Sequence, residues 1–342
     1  MSAPERPSPA DPRAQLSGTT LGVLGCGAVG RAFAHALSAS GAAVHLWSRT
    51  SAHAEQLARE LPLGAHVTLA DGPRDVLAQS DAVLITVTDR ALERFVRDLA
   101  AGPELEGDAP VLHTNGTLGL EVLAPLAPFA PFAPFVQGTT SEVARRGTGK
   151  LHPLAALPPG ATNARAFEGA WFATLGAGDA RAWTARIVAG VGGRELRLSD
   201  THPDPSRALH AAAALLSGGM VALFDLAAEA ARGTTQPDSE GAEARALAAL
   251  LDGTLRNRAR GLERERSEGS GADVGRRAAQ GALTGPIARG AADVVRAQLA
   301  ALAAAPDAQA SYRVLGRRML ALALARGTVS AAEHEELARV LT

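Results

Sequence analysis

Leu21-Gly22-Val23-Leu24-Gly25-Cys26-Gly27-Ala28-Val29-Gly30 is the stretch on which the fold turns. An apolar run of β character leads into a GxGxxG pattern, and residues 29–40 beyond it are rich in helix formers. In a strand–turn–helix passage each glycine has a physical task. Gly25 permits the tight turn, Gly27 lets the backbone approach a pyrophosphate, and Gly30 allows helix and strand to pack closely, with the helix N-terminus facing the anion. A glycine-rich turn that holds no ligand is the competing reading, and the strand before and helix after weigh against it. Cys26, at a variable position of the pattern, reads as a small filler rather than a reactive thiol.

Outward from this loop, β-type runs at 21–24, 43–47, 66–69, 82–87 and 111–113 alternate with helical stretches such as 91–101, where Leu92, Phe95, Val96 and Leu99 recur at helical spacing. The alternation predicts an α/β domain with a parallel sheet. A further passage of strand 171–175, helix 179–191 and strand 195–198 extends it to about Asp200. Beyond that point no strand is evident, and 206–232, 241–265, 285–305, 308–326 and 330–341 read as helices, broken at 233–240 and 267–275. The expected organisation is a disordered leader over 1–18, a nucleotide-binding domain over 19–200 and an all-helical domain over 201–342. The Ala-Pro-Phe repeat at 123–135 reads as a polyproline-like connector, with a docking site for a proline-binding module as the alternative.

Composition removes several function classes. With 34 basic against 35 acidic residues the net charge is -1, so no global field exists to hold nucleic acid or an acidic membrane. The apolar run 211–224, interrupted by Ser217, Gly218 and Gly219, is shorter than the roughly 20 residues of a membrane helix and reads as a buried core helix. One cysteine allows no disulfide framework and no thiolate metal cluster, and with no apolar leader segment the expected setting is cytoplasmic. Lys150 is the one lysine among 34 basic residues, a bias that reads as compositional.

Polar residues at strand ends supply the candidate site. After the second strand, Ser48-Arg49-Thr50 stands where an NAD-specific site places a carboxylate for the ribose hydroxyls. Arg49 can pair with a 2′-phosphate and Ser48 and Thr50 can donate to it, so the expected cofactor is NADP(H); a solvated arginine is the alternative. Val87, Thr88 and Asn115, at the ends of the fourth and fifth strands, are candidates for the nicotinamide side, although ordinary turn chemistry accounts for Asn115 and Asp89 as well. His152, followed by Pro153 in an expected loop, and His210, ahead of the apolar helix, are the candidate proton donors, against backbone-bonded or core histidines. The Asp200-Thr201-His202-Pro203-Asp204 run offers metal-type ligands without a distal partner, so no metal is expected; Ser206 is instead read as a helix N-cap. Thr284 is read as the cap of a helix beginning Gly285-Pro286, which would aim backbone N–H groups and Arg289 at an anion.

LGVLGCGAVG at 21–30, LHTNGTLG at 112–119, KLHPL at 150–154, LHAAAALLSGG at 209–219 and ALTGPIARG at 282–290 together resemble one family. It is that of Rossmann-like proteins with a C-terminal domain of unknown function 2520, similar in architecture to pyrroline-5-carboxylate reductase, ketopantoate reductase and the β-hydroxyacid dehydrogenases. The resemblance implies a nicotinamide-dependent reductase-like fold, a small polar or carboxylated substrate in an interdomain cleft contacted by Ser217, Thr284 and Arg289, and a homodimer through the helical domain. The chain departs from the family at Gly218, where members commonly carry an asparagine after the serine. A non-catalytic NADP(H)-binding sensor or scaffold is therefore the alternative function, and a dimerisation module without nucleotide a third.

Overall fold

The computed structural model describes residues 16–103, 105–127, 147–157, 164–235, 241–268 and 283–342. The leader through residue 15, the proline-rich repeat from 128 onward and the breaks at 236–240 and 269–275 lie outside the described residues. The chain divides into two units, 1–213 and 214–342, each described by itself.

The first unit is built on one eight-stranded sheet in the order β3-β2-β1-β4-β5-β6-β7-β8. Its strands are β1 (Thr20–Leu24), β2 (Ala43–Trp47), β3 (Val67–Leu69), β4 (Ala82–Ile85), β5 (Val111–His113), β6 (Thr148–Leu154), β7 (Trp171–Ala177) and β8 (Arg194–Arg197). Strands β1 to β6 are mutually parallel, β7 runs antiparallel to β6, and β8 follows β7 in parallel. Helices α1 (Ala28–Ala39), α2 (Ser51–Glu60), α3 (Pro73–Ala78), α4 (Asp89–Ala100) and α5 (Ala180–Gly190) connect the strands.

Both faces of the central strands are buried, which is why these runs are apolar without alternation. Leu21, Val23, Leu84 and Leu112 join Phe33 and Leu37 of α1 and Ile187 of α5 in one core. Leu24, Val83, Ile85 and Val111 point the other way, toward Val76 and Leu77 of α3 and Leu92, Val96 and Leu99 of α4. The strand order reverses between β1 and β4, and the crevice at the carboxyl ends of those two strands is where open α/β sheets bind ligands.

Three sequence expectations for the first unit need correction. The strand expected over 82–87 ends at Ile85, leaving Thr86, Val87 and Thr88 to turn into α4. His152-Pro153, expected in a loop, belongs to β6. Gly149, Lys150 and Pro153 hide this strand from propensity, but only residues 148–150 pair with β5, so Pro153 falls where fewer ladder bonds are at stake. Ser206 is not an N-cap: α6 (Pro205–Ala231) begins before it, and Asp204 Oδ1 instead accepts the N–H of Arg207 at 3.1 Å. His202 is tied into the same turn, its Nδ1 accepting the N–H of Asp204.

The second unit contains the body of α6 with α7 (Ala242–Glu268), α8 (Ala292–Ala301), α9 (Pro306–Arg326) and α10 (Ala331–Val340). Its core gathers Ile287, Val295, Leu299, Leu320, Leu337 and Leu341. Ser330 starts α10 with a reciprocal capping box, its Oγ accepting from Glu333 N while Glu333 Oε2 accepts from Ser330 N. The expected helix over 285–305 is divided into a short 3₁₀ turn, Ile287–Arg289, then α8 and a second 3₁₀ turn, Leu302–Ala304. Pro286 occupies the cap position of the first turn, so Thr284 caps no helix.

The apolar helix is also not a core helix. Leu215, Leu216 and Val221 of α6 are 78%, 67% and 72% exposed. By length and composition alone its 27 residues are enough to cross a membrane. On α7, Leu250 and Leu255 are exposed too.

Candidate active site

The glycine loop follows β1 directly. Gly25 has φ +113°, a conformation L side chains rarely adopt, and a Cβ there would lie 3.0 Å from the backbone of Thr86 and Val87 at the end of β4. At Gly30 a Cβ would overlap the Gly25 carbonyl oxygen and sit 2.6 Å from Thr86 Oγ1, so α1 packs directly on the turn. Gly27 differs, because a Cβ there meets nothing within 4 Å among the described residues. Two glycines are consumed by packing and the middle one borders open space. Thr86 Oγ1 donates to the Gly25 carbonyl at 2.6 Å and Gly25 N donates to the Trp47 carbonyl at 2.8 Å, which fixes the loop between β4 and β2.

Helix α1 starts at Ala28 with no side-chain cap and no acidic residue in its first turn. Its first N–H groups and its dipole therefore favour an anion beside Gly27 and Val29. Cys26 is buried within the loop, and burial pushes its thiol up to about 11 against the opposing charge of Arg31, so the thiolate is not formed near neutral pH. Arg31 is engaged by Glu60 at the end of α2.

Ser48, Arg49 and Thr50 connect β2 to α2. Ser48 is half-buried, while Arg49 and Thr50 are exposed. Thr50 occupies the cap position of α2 without a side-chain cap bond, and the first turn of α2 has no acidic residue. The end of β2 thus presents donors and a cation with no carboxylate in the adjoining turn.

The loop after β5 is held from beneath by side chains of β5 and β6. His113, fully buried, accepts the Asn115 N–H at Nδ1 and therefore donates from Nε2 to the Gly119 carbonyl at 3.0 Å. Lys150 Nζ donates to the carbonyls of Gly116 at 3.0 Å and Leu118 at 2.8 Å. His152 Nδ1 lies 2.8 Å from the Thr114 carbonyl, which can only accept, so Nδ1 carries the proton and Nε2 the lone pair. Four carbonyls between 114 and 119 are thus anchored by three basic side chains.

Asn115 serves the same loop. Its Oδ1 accepts from Thr117 N, Thr117 Oγ1 and Leu118 N, and its Nδ2 donates to Asp89 Oδ1 at 2.7 Å. Its side chain builds the turn and ties it to α4. Val87 is half-buried and Thr88 exposed at the start of that helix.

The two histidines meet. Their rings are 5.2 Å apart, edge to face, with His210 supplied by the first turns of α6. A Cβ at position 116 would collide with the His210 ring, so Gly116 forms the wall against which that ring lies. Among the described residues, the buried His210 Nδ1 has no hydrogen-bond partner.

Burial dominates the electrostatics. It pushes His113 down to about 3, with the Lys150 charge adding to the shift and the bond to Gly119 opposing it. It lowers Lys150 to about 8 against the pull of Glu121, Asp204 and Asp89. It also holds His152 below the ordinary imidazole value, the Thr114 bond opposing and His210 and Lys150 adding, so the ring is neutral near pH 7. Lys150 and His113 do not stand out as site residues in the sequence. A lysine in a chain that otherwise uses arginine is the available signal, and on sequence alone it reads as compositional.

Ser217, Thr284 and Arg289 belong to the second unit, and all three are exposed. Among the described residues, a methyl group at Gly218, beside Ser217, would meet nothing within 4 Å.

Two family models match the chain: a Rossmann-like domain over residues 1–132 and the domain of unknown function 2520 over 170–319. No curated protein matches it. Among solved structures, protein TM1727 from Thermotoga maritima is similar at a TM-score of 0.60 and 18% identity, covering 90% of this chain and 99% of its own. Protein BF3122 from Bacteroides fragilis, described as an NADP oxidoreductase, gives 0.57 and 19%, covering 89% and 98%. An imine reductase from Myxococcus stipitatus in complex with NADP+ gives 0.51 and 18%, covering 94% and 100%. At these identities the likeness is one of fold.

Proposed function

Starting from a chain that joins a Rossmann-like domain to a domain of unknown function 2520, we propose that it is an NADP(H)-dependent oxidoreductase acting on a small polar or carboxylated metabolite. The observation that carries this reading is the glycine cradle, in which Gly25 and Gly30 are closed by packing while Gly27 and the uncapped start of α1 face open space. A methyl group at Gly27 would occupy the approach that a pyrophosphate needs. Ser48, Arg49 and Thr50 fit the 2′-phosphate, and the naming of NADP in the fold's relatives BF3122 and the M. stipitatus imine reductase agrees with it.

When bound, the nicotinamide supplies the hydride chemistry. The chain's own share is orientation and proton handling. His152, with Nδ1–H fixed on Thr114, presents Nε2 as the atom that takes a proton from a substrate hydroxyl or amine and, once charged, returns it. His210 at its edge is the second proton-handling candidate. Ser217, Thr284 and Arg289 are the proposed substrate contacts of the helical unit. A reducing cytoplasm suits a chain whose single cysteine is buried and forms no disulfide.

The first test is a titration of the purified protein with NADPH and NADH, alongside Arg49→Ser. NADPH affinity is expected to fall about 100-fold in the variant, the loss of charge-assisted bonds to a phosphate, with NADH affinity unchanged. An unaltered preference between the two nucleotides would remove the 2′-phosphate assignment. A non-catalytic NADP(H) sensor or scaffold is the second reading, favoured by the open space at Gly218 among the described residues. NADPH oxidation across a metabolite panel separates the two, since a sensor binds without turnover.

The exposed leucines of α6 and α7 support a homodimer, because a second copy brings the same apolar face to meet the first. Sedimentation equilibrium of the wild type should give a dimer at micromolar concentration. Replacing Leu215 and Leu216 together by Glu removes four apolar side chains per dimer and should weaken it about a thousandfold, roughly 4 kcal/mol. A wild-type monomer, or a variant that remains dimeric, would refute the assignment.

A further inference from the structure

We propose that Lys150 is the positioning residue of the site: its ammonium holds the loop after β5 in the conformation that seats the His210 ring against Gly116 and beside His152. The proposal rests on the oxidoreductase reading for the chemistry it serves, and on geometry alone for the positioning itself.

Lys150 is fully buried, although ammonium groups are strongly hydrated and costly to bury. It is also the one lysine in a chain that meets every other need for a cation with arginine. The geometry explains why arginine does not serve here. Two carbonyls of one short loop, Gly116 and Leu118, converge on a single nitrogen at 3.0 and 2.8 Å. A compact ammonium satisfies that convergence, whereas a planar guanidinium needs acceptors spread along a fork. The strand position fits as well: Lys150 pairs in register with His113, so it sits directly under the loop that leaves β5.

The consequence passes through Gly116. Its carbonyl is held by Lys150 while its Cα face is the wall touched by the His210 ring, which among the described residues makes no bond of its own through Nδ1. The ring is therefore placed by packing on a backbone segment, and that segment is placed by Lys150. The charge acts in parallel on His152. The groups facing that imidazole are the Thr114 carbonyl, His210, Lys150 and Asp89, and of these Lys150 and His210 oppose its protonation.

The test separates donors from charge in the full-length protein, without nucleotide or substrate. Lys150→Met removes both, and Lys150→Gln keeps an N–H donor while removing the charge. Amide exchange at Asn115, Thr117 and Leu118, the contact between the His210 ring and Gly116, and the titration midpoint of His152 are followed by NMR. In the Met variant, loop exchange should accelerate about a hundredfold, as for loss of two charge-assisted hydrogen bonds. The His210–Gly116 contact should be lost and the His152 midpoint should rise toward the ordinary imidazole value. The Gln variant should restore the contact and slow exchange while leaving the midpoint raised. A Met variant with wild-type loop exchange and an intact His210–Gly116 contact would overturn the proposal. If the Met variant does not fold, Lys150→Arg decides: it keeps the charge but spreads its donors along a fork, so faster loop exchange with a lost His210–Gly116 contact supports the proposal, and a wild-type loop with an intact contact overturns it. None of these readouts depends on NADP(H), so a protein that fails the nucleotide titration can still pass this test, and the reverse.

Discussion

Lowering the pH from 7 to 3 is expected to remove roughly 4 kcal/mol from the stability of the first unit through His113 alone. His113 is held at about 3 by burial in the folded chain and returns to about 6.5 when the chain unfolds. Between those values the unfolded state binds the extra proton, so stability rises with pH across the window and is lost as pH falls through it. His35, His45 and His152 are shifted in the same direction and add to the slope. His113→Gln keeps a donor for the Gly119 carbonyl but cannot titrate. Urea unfolding at pH 7.5 and pH 4 should show a steep loss in the wild type and a much shallower one in the variant. Equal losses in the two proteins would show that His113 does not carry the acid sensitivity.

The second large effect divides the glycine loop into structure and binding. Gly30→Ala places a methyl group against the Gly25 carbonyl, and a backbone oxygen cannot move aside without lifting α1 from the sheet. A loss of about 3 kcal/mol is expected, with a fall in melting temperature of several degrees. Gly27→Ala meets no atom of the described residues within 4 Å, so its melting temperature should match the wild type. Its NADPH affinity should nonetheless drop about 100-fold, because the added methyl stands where the phosphates approach. A stable Gly27→Ala protein that binds NADPH like the wild type would place the nucleotide elsewhere or nowhere.

What is legible in the sequence is local. Strands β1, β2 and β5 are short apolar runs beside turn residues, and the GxGxxG loop carries its geometry in three glycines. The Rossmann-like and helical halves follow from where strand patterns stop. What escapes is set by distant neighbours. Strand β6 has weak propensity and is created by β5 and β7 on its two sides, so His152 reads as a loop residue. Asn115 reads as a strand-end residue with a free amide, whereas its Oδ1 is taken up by Thr117 and Leu118 and one Nδ2 hydrogen by Asp89, a tie to a distant residue that no spacing announces. Helix α6 reads as core because apolar composition does not say whether the covering surface lies in the same chain. Lys150 reads as chance because burial of a single side chain leaves no periodic trace.

The outer strands of the sheet have a consequence for how the protein fails. One edge is β3, only three residues long, and the other is β8, whose Arg194, Glu195 and Arg197 place charges along the open ladder. Short or charged borders are poor templates for strand addition by another chain. Protein warmed until its edges fray is thereby steered away from fibril growth through the sheet, and protomers separated from the proposed homodimer associate instead through the apolar helices.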